Sequence, residues 1–377
     1  MHSDRLFRRA AVGRTVVPVA PARDRRARHI SIPAALIGLS LVVSAAGTLP
    51  ASATTPASTP PPASTADTAS APKEPLPVAL VHALNKLAAG PHIGFRANHA
   101  KGVLVTGTFT PAKTAPTFSS APHFAKSVPV LVRFSDTTGV PNIPDASPDA
   151  SPHGMAIRFK LPDGANSDIV SISAANGFPV ATPEDFLALL TAISQSGPGV
   201  AKPTPVEQFL GAHPAALKWV TTSRPPPQSF GTLAFYGVNA FKFTNAKGVS
   251  HYARYQILPV AGEHALTAAE VAKVDPNYLM DELPKRIAAG PVKFRLVAQV
   301  AKEGDVTNDA TVLWPADREI VELGVISLTA TEKEQVKEQK ALLFNPLSLT
   351  TGIEASSDPI LAARPPAYAI SFTQRGP

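Results

Sequence analysis

The chain has no cysteine among its 377 residues. That one absence removes disulfide bridges, thiolate metal centres and a cysteine nucleophile together. No Gly-x-Ser-x-Gly elbow, phosphate-binding loop or Gly-x-Gly-x-x-Gly stretch occurs, so a serine hydrolase, a nucleotide hydrolase and a dinucleotide oxidoreductase lack sequence support. No histidines or carboxylates stand at metal-ligand spacing, which argues against a zinc hydrolase. Negative charge is scarce at the N-terminus, where Arg5, Arg8, Arg9, Arg14, Arg23, Arg25, Arg26 and Arg28 face only Asp4 and Asp24. Those residues account for six of the seven net positive charges. Elsewhere the chain is close to neutral, so nucleic-acid binding is not expected.

What is present divides the chain in three. Residues 1–53 read as an export signal: the basic stretch leads into the apolar run IPAALIGLSLVVSAAG and then Ala51-Ser52-Ala53, small residues at signal-peptidase spacing. The run falls short of the roughly 20 residues that span a bilayer, so no stable membrane span is expected after cleavage. An uncleaved signal anchor is the alternative. The mature protein is expected to be periplasmic or extracellular. Residues 54–75 are rich in Ala, Ser, Thr and Pro and read as a disordered tether. The folded domain is expected over 76–377.

Within it, VALVHALNKLAAG has helical periodicity and stops at Gly90-Pro91. GVLVTGTF, VPVLVRFS, MAIRFKL and SDIVSIS read as short strands, as do GTLAFYGVNAFKFTN, SHYARYQILPVAG, GPVKFRLVAQVA and ELGVISLT. Helices are expected after Thr182-Pro183 and Thr204-Pro205, at DPNYLMDELPKRIAAG and at TEKEQVKEQKALLF, with an irregular C-terminal segment after the last. Hairpin-like connections favour an α+β protein, an antiparallel β-barrel with added helices outside.

His99, three residues after Arg96 at the mouth of a strand, is the histidine with the most suggestive setting. A lone histidine beside a strand is more often a hydrogen-bonded structural residue than a catalyst. The segments around it narrow the choice. Arg96-Ala97-Asn98-His99-Ala100-Lys101-Gly102 with Gly107 and Phe109, then Val132-Arg133-Phe134-Ser135, then His153-Gly154-Met155-Ala156-Ile157-Arg158-Phe159 with Asp163-Gly164 and Asp168-Ile169-Val170, follow one another in a fixed order. Trp314-Pro315, Phe344-Asn345-Pro346, Gly352-Ile353-Glu354-Ala355-Ser356-Ser357-Asp358 and Arg364-Pro365-Pro366-Ala367-Tyr368 complete the series. In that order they resemble the haem catalases, and most closely the short catalase-related peroxidases that keep only the haem barrel.

The resemblance implies a catalase-like haem-binding domain over 76–377 with haem b (iron protoporphyrin IX) as cofactor. It implies Tyr368 as the metal ligand, with Arg364 supplying the positive charge that favours loss of its proton, and His99 as the group that moves peroxide's proton. Ser135 would orient the imidazole. Arg96, Arg133 and Arg375 would neutralise the propionates, and Phe178 and Phe186 would line the distal side. Ungapped alignment puts Ser173 where catalases have an asparagine, with Asn176 three residues on, and either could fill that role. His153 stands where the family has arginine. The implied activity is reduction of hydrogen or organic peroxides through a ferryl intermediate, in defence against peroxide, with a small organic electron donor. A monomer or loose dimer is expected. Two other activities fit the same fold: a non-enzymatic haem carrier and a hydroperoxide-rearranging enzyme.

Overall fold

Alternation in Gly102–Pro111 sends Val103, Val105 and Phe109 to one side and Leu104 to the other, each into an apolar cluster, so this strand is covered on both faces. The computed structural model describes residues 74–174 and 177–376. The segment read as an export signal lies outside the described residues, as does the tether apart from Glu74 and Pro75. The strands are β1 (Gly102–Pro111), β2 (Val128–Ser135), β3 (Gly154–Lys160), β4 (Asn166–Ile172), β5 (Phe235–Tyr236), β6 (Phe241–Thr244), β7 (Ser250–Pro259), β8 (Val292–Val300), β9 (Ile320–Thr331) and β10 (Ile353–Ala355).

Eight of them close an antiparallel barrel in the order β1-β2-β3-β4-β5-β7-β8-β9, with β9 returning to β1. β6 and β10 extend from β7 as a short flap. The architecture is therefore the α+β barrel that the alternating segments predict. Phenylalanine fills the barrel: Phe134 packs its ring on Phe230, Phe235 and Phe294, and Phe109 packs edge-on against Phe159. All six side chains are wholly buried. Truncating any one to alanine is expected to cost about 3–5 kcal/mol, because interiors this dense relax only partly. Chemistry therefore has to lie outside the barrel wall.

The helices are α1 (Leu76–Leu87), α2 (Ala115–Phe118), α3 (Pro122–Ala125), α4 (Pro183–Ser194), α5 (Pro205–Ala212), α6 (Pro214–Thr221), α7 (Ala268–Val271), α8 (Tyr278–Ala289), α9 (Gln335–Ala341) and α10 (Pro359–Thr373). Thr182 caps α4 by accepting from the Asp185 N–H, and Thr204 with Glu207 forms a capping box on α5, as both Thr-Pro starts predict. α1, α4 and α10 pack on one another outside the barrel. Among the described residues no helix is long and apolar enough to cross a membrane.

Three expectations change. The C-terminal segment expected to be irregular contains α10. Pro365 and Pro366 inside it remove two backbone donors and disguise it, but Asp358 caps its first turn and Ile360 and Leu361 are buried under it, which holds the helix together. GTLAFYGVNAFKFTN is two strands rather than one, broken between β5 and β6. The helix expected over TEKEQVKEQKALLF spans only α9: Leu342 is extended, and the Lys340 carbonyl that the Phe344 N–H would need to continue the helix accepts from Arg375.

Candidate active site

Strand register sets up the site. Gly102, Ser135, Gly154 and Ile172 are successive partners across β1, β2, β3 and β4, so they form one row along the barrel rim. His99, in the loop before β1 at φ 57°, sits against that row, its Nδ1 3.1 Å from the Ser135 Oγ. A Cβ on Gly154 would lie 2.7 Å from the Ser135 Oγ and 2.9 Å from the His99 Nδ1. Only glycine leaves room for the imidazole there. Burial, and then the positive charges of Arg133, Arg96 and Arg364, push His99 down to about 3. The ring is thus a neutral base at ordinary pH. When the Ser135 hydroxyl accepts the Nδ1 proton, Nε2 is left with its lone pair.

This row forms one wall of a cavity of about 1390 Å3, counting its mouth, between the outer faces of β2, β3 and β4 and the helices α1, α4 and α10. Tyr368 enters from α10. Its phenol oxygen accepts from the Arg364 Nε at 3.1 Å, an i, i+4 pair on one helix face. Arg364 also donates to the Asn239 Oδ1 at 2.7 Å, and Asn239 donates to the Asp358 Oδ2 at 2.8 Å. A chain of hydrogen bonds therefore runs from the cap of α10 to the phenol and fixes both rotamers. The guanidinium stands as a positive partner to any negative charge on that oxygen.

Arg96, Arg133 and Arg375 line the same cavity, and each is bound to the segment at the end of α9. Arg96 donates to the Leu342 carbonyl at 2.8 Å, Arg375 to the same carbonyl at 2.8 Å, and Arg133 to the Gln339 Oε1 at 2.7 Å. All three acceptors are neutral, and among the described residues no carboxylate forms an ion pair with any of the three. Burial, with repulsion from Arg375, lowers Arg133 to about 9, and burial lowers Arg375 to about 10. Asp136 offsets part of the charge on Arg133 without pairing with it, and three guanidiniums in one place with no ion-pair partner are costly unless an anion joins them. The Arg375 Nε is buried and has no hydrogen-bond partner. Phe178 and Phe186, ring centroids 5.2 Å apart, add an apolar wall.

Nine of the ten residues singled out from the sequence thus line one cavity. The tenth, Asn176, lies outside the described residues. Ser173, its alternative, does not line this cavity: its hydroxyl accepts the His153 N–H at 2.9 Å and borders a second cavity. A pairing the sequence reading missed is His153 with Asp136, Nδ1 to Oδ1 2.9 Å, both fully buried. The signal was present, since Ser135 pairs with Gly154 and each partner stands one residue beyond that pair. Gly154, Asn239 and Gln339 were likewise not anticipated as site-forming residues.

A closed antiparallel barrel thus carries an imidazole, a phenol and three guanidiniums without an ion-pair partner in one external cleft. A family model for catalases matches residues 57–376, and the chain belongs to the catalase family. It is 37% identical over 290 residues to a catalase-related peroxidase of Mycolicibacterium paratuberculosis, covering 76% of this chain and 90% of that one. A catalase-related peroxidase of Synechococcus elongatus is 34% identical over 293 residues, covering 76% and 85%. The fold is similar to crystal structures of a fungal catalase (TM-score 0.67, 23% identity) and of catalase A from Saccharomyces cerevisiae (TM-score 0.66, 24% identity). Each match covers 75% of this chain, which spans only 60% and 62% of those two solved chains. The protein is a peroxide-handling oxidoreductase.

Proposed function

We propose that the protein is an exported, haem b-dependent peroxidase that reduces hydrogen peroxide or organic peroxides at the expense of a small organic donor, in defence against peroxide. The observation that carries this is the convergence of Arg96, Arg133 and Arg375 on one cavity with no carboxylate among them, next to His99 and Tyr368. The buried, unpartnered Arg375 Nε is what a carboxylated group would complete. The residues fit haem: Tyr368 would hold the iron, the three arginines the propionates, and Phe178 and Phe186 the ring. Bound haem would supply the redox chemistry that cleaves the O–O bond.

The chain's own contribution is proton handling and exclusion of water. His99, neutral and oriented by Ser135, takes a proton from one peroxide oxygen and returns it to the other. Arg364 holds the phenol oxygen of Tyr368 in place. Ser173, where the alignment puts the catalase asparagine, is tied to the His153 backbone away from the cavity, which favours donor-dependent reduction over disproportionation. A monomer or loose dimer, periplasmic or extracellular, is part of the same reading.

The deciding measurement compares dye oxidation driven by an organic peroxide with oxygen release from hydrogen peroxide, on the haem-loaded protein. Dye oxidation is expected to dominate. Oxygen release without dye oxidation would make the protein a catalase instead, and neither activity would make it a carrier.

A further inference from the structure

Behind the start of β3 lies a second cavity, of about 910 Å3 counting its mouth, bordered by His153 and Ser173 inside and by the loops around Ser223, Pro225 and Glu263 outside. The chemistry of the main cavity makes no use of it. His153 stands at its inner end, 2% exposed, with its ring edge-on to Phe230 at 5.6 Å. Asp136 holds the Nδ1 proton at 2.9 Å. That bond fixes the tautomer and leaves Nε2 with a lone pair, and among the described residues no hydrogen bond is made by Nε2. A carboxylate-held imidazole is thus a built base whose other nitrogen is unspent among the described residues.

The surroundings say what it could act on. Tyr236 borders both cavities and, among the described residues, is the one that the two linings share. Pro225, Pro227 and Leu233 give flat apolar walls, and Arg224 caps the neighbouring Trp219 ring at 4.3 Å. Burial pushes His153 down to about 4, so it is neutral at ordinary pH. Around it stand Asp136, Asp145 and Lys101 on the inner side and Arg224, Glu263 and His264 at the mouth. An aromatic ring carrying one weakly acidic hydroxyl matches walls and base together.

We propose that this side cavity is the reductant site, that it takes a phenol-type donor, and that His153 is the base that receives the phenol's proton. The inference rests on the peroxidase reading above. The donor's O–H bond breaks, the proton goes to the His153 Nε2, and the electron passes by way of the Tyr236 wall to the oxidising equivalents that peroxide leaves in the main cavity. Two phenols, each giving one electron and one proton, with one ROOH yield ROH, water and two phenoxyl radicals.

The test uses p-cresol and the full chain. Calorimetric titration is expected to show binding that Ser223→Trp, a substitution at the exposed mouth, abolishes. Equal binding by wild type and Ser223→Trp, or none by wild type, overturns the site. In the haem-loaded protein, His153→Asn is expected to slow p-cresol oxidation about a hundredfold while slowing ferrocyanide, which gives an electron without a proton, far less. Equal losses with both donors would make His153 structural and refute its role as a base. Failure of wild type to consume peroxide with any donor would instead remove the peroxidase reading and leave p-cresol binding to be judged by the titration alone.

Discussion

Replacing Gly154 with alanine probes the site at its tightest point. The new methyl would lie 2.7 Å from the Ser135 Oγ, 2.9 Å from the His99 Nδ1 and 3.0 Å from its Cε1, where ordinary contact begins at 3.4 Å. Something must move by 0.4 to 0.7 Å, the differences between those distances and 3.4 Å. The Ser135 Oγ can turn away only by giving up its hydrogen bond with the His99 Nδ1, and its backbone is held between Gly102 and Gly154. The imidazole is therefore the part that shifts, and with it the hydrogen bond to Ser135. A misplacement approaching 1 Å costs up to about a hundredfold in rate, so a loss of roughly ten- to a hundredfold in peroxide reduction is expected. The strain should lower stability by about 1–3 kcal/mol without changing the fold. Stopped-flow mixing of the haem-loaded variant with peroxide measures the first effect, and thermal melting followed by circular dichroism the second. Adding Ser135→Ala would relieve only the nearer contact and should not restore the rate. A haem-loaded Gly154→Ala protein reacting at the wild-type rate would refute the argument that this glycine seats His99.

Tyr368→Phe is expected to abolish the visible spectrum of a phenolate-ligated haem while leaving far-ultraviolet circular dichroism unchanged; a retained spectrum would show that another group holds the iron. Arg375→Gln should weaken haem retention by about tenfold or more, read by transfer of haem to apomyoglobin, since a charged hydrogen bond is worth about 1.5–3 kcal/mol. Lys101→Met leaves the buried Asp145 without its ion-pair partner and should cost about 3–5 kcal/mol, seen as a fall in Tm. His99, His123 and His153 are held at about 3, 3 and 4, so the unfolded chain binds more protons than the folded one below 6.5, and each costs stability as the pH falls from there towards those values. Asp136 and Asp145, raised to about 6, act the other way: their contribution is present below 3.8 and is lost as the pH rises through 6. Three sites against two leave a net loss of stability on acidification between pH 6 and 4. Denaturant melts of the haem-free protein that strengthen on acidification would contradict these assignments.

Much of the barrel was legible because two-residue alternation is a local signal: β2 runs over the VPVLVRFS stretch read as a strand. The caps of α4 and α5 were legible for the same reason, each being written within four residues. α10 was obscured because its two prolines contradict helix locally and only packing overrides them. The site divides similarly. His99, Tyr368 and the arginines emerge from motif order, which the fold then gathers into one cavity. The hydrogen bond from Arg364 to Asn239 spans 125 positions and that from Arg133 to Gln339 spans 206, and no local pattern encodes either. The Asp136–His153 pair was within reach, but only to a reading that sets the two strands side by side rather than one after the other.

The guanidinium trio also ties distant parts of the folded domain together. Residues 96, 133 and 375 meet on the stretch from Gln339 to Leu342, where burial and mutual repulsion hold Arg96 well below its usual range. One backbone oxygen, that of Leu342, accepts from both Arg96 and Arg375, so a change that moves it releases two guanidiniums at once. The turn after α9 is therefore a single point of failure for the whole cleft.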